Sequence, residues 1–186
     1  PACSWSTIDW YGVPKLSYYI LQDAFAPATA CLIFTKLNPV GEKVTLPVYL
    51  LNDSGQLNAP VRVLVRTYNY QLQEIKKTEY HHTGTISKVT KLGDYELDSI
   101  QTASIPLLVV VDLWHDTELV ARTFYWLNYL PKPGCLFNLP TTQLETVMNE
   151  QEIIVKNLGP VPAVCVRFDT EHSDSFYFED SGFWLD

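Results

Sequence analysis

Positive charge is what this chain has least of. Of its 186 residues only 13 are Lys or Arg against 21 Asp or Glu, for a formal net charge of -8. The basic residues are scattered and form no patch, which argues against nucleic acid, because phosphate binding rests on grouped Lys and Arg. Long apolar runs are missing too: no stretch of about 18 apolar residues occurs, so no segment reads as a membrane-spanning helix. Close cysteine pairs are absent. Cys3, Cys31, Cys135 and Cys165 form no CxxC, and no histidine stands beside them at ligand spacing, which argues against a zinc site. Free thiols packed as small apolar side chains are the expected state, with one disulfide left open by the spacing. Neither a signal peptide nor an initiator Met is present, as expected of an internal or excised segment. No internal repeat or low-complexity tract occurs, and no cofactor or metal is expected.

Apolar and aromatic residues, in contrast, are plentiful. At 47% hydrophobic and 13% aromatic the chain is expected to fold, and its length suffices for a real core. Lys15 to Phe25 reads as a short helix, with Pro14 suited to its first turn and Pro27 stopping it. That helix is apolar on more than one face, so it is expected to pack between layers. From Pro27 onward the period is two. Val44, Leu46, Val48 and Leu50 alternate with their neighbours, as do Val61, Val63 and Val65. Pro47 inside the first run marks an edge or a bulge. Tyr70 to Gly93 is polar and weakly patterned, with one or two short edge strands expected. Leu107 to Leu113 reads as a central strand, joined by a His115-Asp116-Thr117 turn to a strand from Leu119. The fold class is therefore mainly β: an immunoglobulin-like sandwich over residues 27–130, preceded by a short helix. After the Leu130–Gly134 linker, residues 135–186 read as the start of a second, truncated sandwich, with strands at 143–149, 152–157, 163–169 and 175–178.

Several clusters hold residue types that do chemistry. Asp169, Glu171, Asp174, Glu179 and Asp180 could offer the paired carboxyls of retaining glycoside hydrolysis, or hard oxygen ligands for calcium. On a hairpin loop, without a spaced Asp-x-Asp-x-Gly pattern, they are expected to face solvent. His172-Ser173-Asp174 has the composition of a hydrolytic triad, but triad members converge from different elements, and no Gly-x-Ser-x-Gly elbow is present. His81-His82 is expected to be exposed. The aromatics are many for two small sandwiches, and filling the junctions between bodies is their expected role. Sugar stacking is the rival, with Trp5, Trp114 and Trp126 the candidates for sugar or interdomain contact. No catalytic, cofactor-binding or metal residue is assigned.

Three stretches resemble family 2 glycoside hydrolases, closest to the β-mannosidase-like branch. Trp5-Ser6-Thr7-Ile8-Asp9-Trp10-Tyr11-Gly12, with Lys15 and Tyr18-Tyr19, is similar to that branch's Trp-Ser-x-Ile-Asp-Tyr-Tyr-Gly-Arg-x-Lys; Phe25-Ala26-Pro27 follows as in the family. Arg122 to Leu127 resembles the end of the family's first sandwich, and Phe176 to Leu185 its late Ser-Asp-Asn-x-Phe-x-Leu strand. Val13 and Trp10 depart from the pattern, and Ser181-Gly182 stands where Asn and a bulky residue are common. The resemblance implies that residues 1–26 end a catalytic (β/α)8 barrel with its last helix. The two catalytic glutamates of a retaining enzyme would then lie upstream, outside this chain. It further implies a non-catalytic accessory role in carbohydrate metabolism, with the barrel of a longer protein as partner and β-linked oligosaccharide as substrate. Other family specificities (β-galactosidase, β-glucuronidase, exo-glucosaminidase) stay open, and an exported or lysosomal setting is implied for the longer protein. The rival class is a stand-alone carbohydrate-binding or adhesion module.

Overall fold

A computed structural model describes residues 6–149, 152–168 and 178–186. The chain divides into two compact units, Ala26–Pro140 and Pro1–Phe25 with Thr141–Asp186.

The unit Ala26–Pro140 is a seven-stranded antiparallel sandwich. Its strands are β1 (Ala28–Leu32), β2 (Val44–Asn52), β3 (Val61–Tyr68), β4 (Glu74–His82), β5 (Val89–Leu97), β6 (Leu107–His115) and β7 (Glu118–Leu127). They form a three-stranded sheet, β1-β2-β5, and a four-stranded sheet, β4-β3-β6-β7. Alternation decides which side chains turn inward. Leu46, Val48 and Leu50 meet Val61, Val63 and Val65 and the row Leu107, Val109, Val111 and Leu113 in one continuous core. Burying each such side chain contributes about 1.5–3 kcal/mol, the main term holding the sheets together. Three hydrogen bonds made by hydroxyl groups join the layers. Tyr95 and Thr67 share a 2.7 Å hydrogen bond, Thr123 Oγ1 donates to the Ala30 carbonyl at 3.0 Å, and the Leu32 N–H donates to the Tyr125 hydroxyl at 3.4 Å.

Pro47 lies in the central strand of its sheet and not at an edge, but a bulge does lie beside it, on the neighbouring strand β5. A register shift between Val48 and Tyr49 gives β5 one extra residue, Leu92. Pro47 also lies just past the last β1–β2 pair, Leu32↔Val48, and its carbonyl accepts from the Ile33 N–H at 3.1 Å. The side on which a donor is missing is thus the side where β1 has run out. The segment 70–93 holds more strand than its weak pattern suggests: β4 runs nine residues and β5 begins at Val89. As an edge strand, β4 exposes Lys77, Glu79 and His81 on its outer side, a charged rim that resists pairing with another chain. Cys31 and Cys135 are free in this unit, and Cys165 in the other.

In the second unit the opening motif forms a turn. Asp9 Oδ1 accepts the N–H groups of Tyr11 and Val13 at 2.8 and 2.9 Å, and Gly12 supplies the left-handed backbone (φ +86°) that closes it. Pro14 pairs with Ile8 ahead of the helix, and α1 (Leu16–Ala24) starts only after Lys15. Only Tyr19 of α1 is buried, so the helix is far less enclosed than its apolar composition predicts. The hydroxyl of Tyr19 donates to the Phe178 carbonyl at 3.0 Å, and the Phe178 ring stacks on Phe168. Among the described residues the remaining strands make two separate two-stranded sheets: β8 (Leu144–Met148) with β9 (Ile153–Asn157), and β10 (Ala163–Val166) with β11 (Phe183–Leu185). The partner of β10 is therefore Phe183–Leu185. The strand expected at 175–178 lies outside the described residues except for Phe178.

Candidate ligand-binding cleft at Trp114

The outer face of the four-stranded sheet is unusually charged for so buried a surface. Arg62, Leu64, Arg66 and Tyr68 of β3 alternate outward, beside Leu108, Val110, Asp112 and Trp114 of β6. Asp112, its side chain 1% exposed, accepts from Arg66 Nη2 at 2.8 Å and from Arg122 Nε at 2.5 Å. The two arginines reach it from the strands on either side, since Asp112 is registered against Leu64 of β3 and Arg122 of β7. Both carboxylate oxygens are engaged, so this cluster holds three strands in register and leaves no oxygen for chemistry on a ligand.

At one end of the same face lies an open cleft of about 510 Å³, lined by Pro60, Val61, Arg62, His81, Trp114, Asp116 and Thr117. Strand register builds it: Arg62 is paired with His81 of β4 on one side and with Trp114 of β6 on the other. The hairpin after β6 then turns back through Asp116 in the left-handed region (φ 51°), a conformation Asp tolerates. That turn brings Asp116 and Thr117 to the rim. The Arg62 guanidinium sits 5.2 Å from the Trp114 ring centre, within cation–π range. Glu79 lies 3.6 Å from Arg62 and 3.5 Å from His81. The indole Nε1 of Trp114 is buried and has no hydrogen-bond partner among the described residues, so what the half-buried ring shows outward is its carbon framework.

Of the two tryptophans singled out by sequence that lie among the described residues, Trp114 lines this cleft. Trp126 is on the same outer face but pairs with Leu108, six residues along β6 from Trp114, a separation of roughly 20 Å. Trp5 lies outside the described residues, as do Asp169, Glu171, His172, Ser173 and Asp174. Arg62, His81 and Asp116 were not legible as partners of Trp114, because their convergence depends on register. Burial pushes the thiols of Cys31 and Cys165 up, the latter partly offset by Arg167, which disfavours the reactive thiolate at these two positions. Among the described residues no group of three or more His, Cys, Asp or Glu could hold a metal ion, and no helix is long and apolar enough to cross a membrane.

No family model matches this chain, and no curated protein matches it in sequence. Solved structures do match. The β-D-mannosidase of Dictyoglomus thermophilum aligns over 98% of this chain with a TM-score of 0.63 and 18% identity. The Amycolatopsis orientalis exo-chitosanase CsxA aligns over 97% with a TM-score of 0.61 and 17% identity, and its complex with PNP-β-D-glucosamine with a TM-score of 0.63 and 18%. The chain shares its fold with parts of two glycosidases. It spans only 21–24% of the length of those chains. Gly182 adopts φ +83°, a left-handed backbone that residues with a side chain rarely adopt.

Proposed function

We propose that this chain is a non-catalytic accessory region of a retaining β-glycoside hydrolase of the family 2, β-mannosidase-like kind. In this reading residues 1–26 end the catalytic barrel, 27–130 form an immunoglobulin-like sandwich beside it, and 135–186 begin a second one. The observation that carries the reading is the match of nearly the whole chain to about a fifth of a β-D-mannosidase. The opening motif supports it from the sequence side: Asp9 and Gly12, two of its defining residues, make the turn that leads into α1. The catalytic barrel of a longer chain is the partner, and β-linked glycosides are its substrates. The role of this piece is to buttress the barrel and shape access to its pocket.

The test is turnover. Purified protein incubated with aryl β-mannoside, β-glucoside and β-glucosaminide is expected to release no aryl alcohol above buffer. Activity that survives repurification and co-elutes with the chain would overturn the reading.

A further inference from the structure

We propose that the cleft beside Trp114 is a saccharide-binding site of its own, taking a neutral pyranoside. This goes beyond the accessory reading, which requires no ligand on the sandwich. The volume of about 510 Å³ falls within the range of small-molecule sites, roughly 300–1,000 Å³. The chemistry of the lining selects the class. Trp114 turns its indole N–H inward, so what its ring leaves open beside the Arg62 guanidinium is carbon, a surface suited to the C–H face of a sugar ring. Around it stand the donors of Arg62, the ring nitrogens of His81, the hydroxyl of Thr117 and the carboxylate of Asp116. Donors and acceptors in one cleft with an apolar ring match the vicinal hydroxyl groups of a sugar.

Charged ligands fit less well. An anion would meet the Asp116 carboxylate and an Arg62 already paired with Glu79, and it would approach a chain of net charge -8. A cation would meet Arg62 lying over the ring. A neutral polyol uses both signs at once and displaces neither ion pair. Arg62 is also pre-placed: Glu79 on one side and the indole on the other restrict its rotamers, lowering the entropy cost of binding.

The test is a titration of the 186-residue chain, followed by amide and indole N–H resonances. The probes are methyl β-D-mannopyranoside, methyl β-D-glucopyranoside, mannobiose and glucuronate. Saturable shifts centred on residues 60–62 and 114–117 with a neutral sugar are expected. Asp116→Gly keeps the left-handed backbone and removes the carboxylate, and it is expected to weaken binding about tenfold; Trp114→Phe should do the same, with spectral dispersion confirming its fold. The proposal is overturned by absence of saturable shifts at millimolar sugar, by shifts centred elsewhere, by affinity unchanged in Asp116→Gly, or by glucuronate binding more tightly than the neutral sugars. Failure here leaves the accessory reading standing, because that reading is tested by turnover alone.

Discussion

Single side chains in this sandwich differ widely in what they contribute, and burial decides the order. Asp112 holds two arginines with its side chain almost wholly out of solvent. Asp112→Asn keeps the shape but removes the buried negative charge that both guanidinium groups share, and a loss of about 3–5 kcal/mol is expected from denaturant unfolding. Glu79 also faces an arginine, yet that pair is more than a third exposed and 3.6 Å apart. Glu79→Gln is therefore expected to change stability by no more than about 1 kcal/mol. A ranking reversed between the two would show that the Asp112 cluster is not the tie between strands described above. Tyr95 is an intermediate case. Its hydroxyl and that of Thr67 satisfy each other inside the core, and burial pushes the phenol strongly up. Tyr95→Phe leaves the Thr67 hydroxyl buried without this partner, for an expected cost of about 1–3 kcal/mol by the same measurement. None of these three pairings is legible in the sequence, since two depend on strand register and the third, Tyr95 with Thr67, on the packing of one sheet against the other.

Elements were legible where their apolar residues recur at every second position. β2 buries one alternating row; β3 and β6 are buried on both faces over most of their length, and the alternate Val and Leu residues of their inner rows still reveal them. β4 exposes one side to water as an edge strand, so its sequence Glu-Ile-Lys-Lys-Thr-Glu-Tyr-His-His carries little apolar rhythm. β1, with the sequence Ala-Thr-Ala-Cys-Leu, is nearly all buried and built of small side chains, and so shows no period at all. β11 was hidden for a different reason: three residues are too few to show any repeat. The helix was legible, but its surroundings were not. Asp23 sits in the last turn of α1, where the helix dipole already disfavours negative charge. Partial burial, and then the nearby Asp180 carboxylate, raise its pKa above the ordinary carboxylate value. The sign follows from linkage: the folded form takes up a proton at a higher pH than the unfolded chain. Stability from this site is thus full in acid and is lost as pH rises through the raised value. Asp23→Asn is expected to stabilise the helix at neutral pH, with the gain vanishing below the ordinary carboxylate range. Thermal melts by far-UV circular dichroism across pH check it; a gain independent of pH would refute the assignment to Asp23.

For the molecule as a whole, large apolar side chains stand in water in both units. The sandwich unit leaves Ile100 83% and Phe137 93% exposed outside its closed core, and in the other unit Trp10 is 95% exposed, Tyr11 75% and Phe25 80%. The β8–β9 hairpin adds to this, since every residue of β8 is exposed and Met148 is 76% so. A two-stranded hairpin is marginal by itself in water, and a helix with one buried residue gains little from packing. Surface of this kind is expected to be covered by another body, and in the accessory reading the barrel covers it. Without that partner the same surface has only other copies of the chain to meet. Sedimentation velocity on the 186-residue chain is therefore expected to show association that grows with concentration. Trp10→Ser combined with Phe25→Ser should shift the population toward monomer with an unchanged circular dichroism spectrum, because both side chains project into solvent and Phe25 caps α1 through its backbone alone. A chain that stays monomeric at every concentration would mean that these aromatics are not an adhesive face, and the accessory reading would lose the surface on which its barrel is meant to rest.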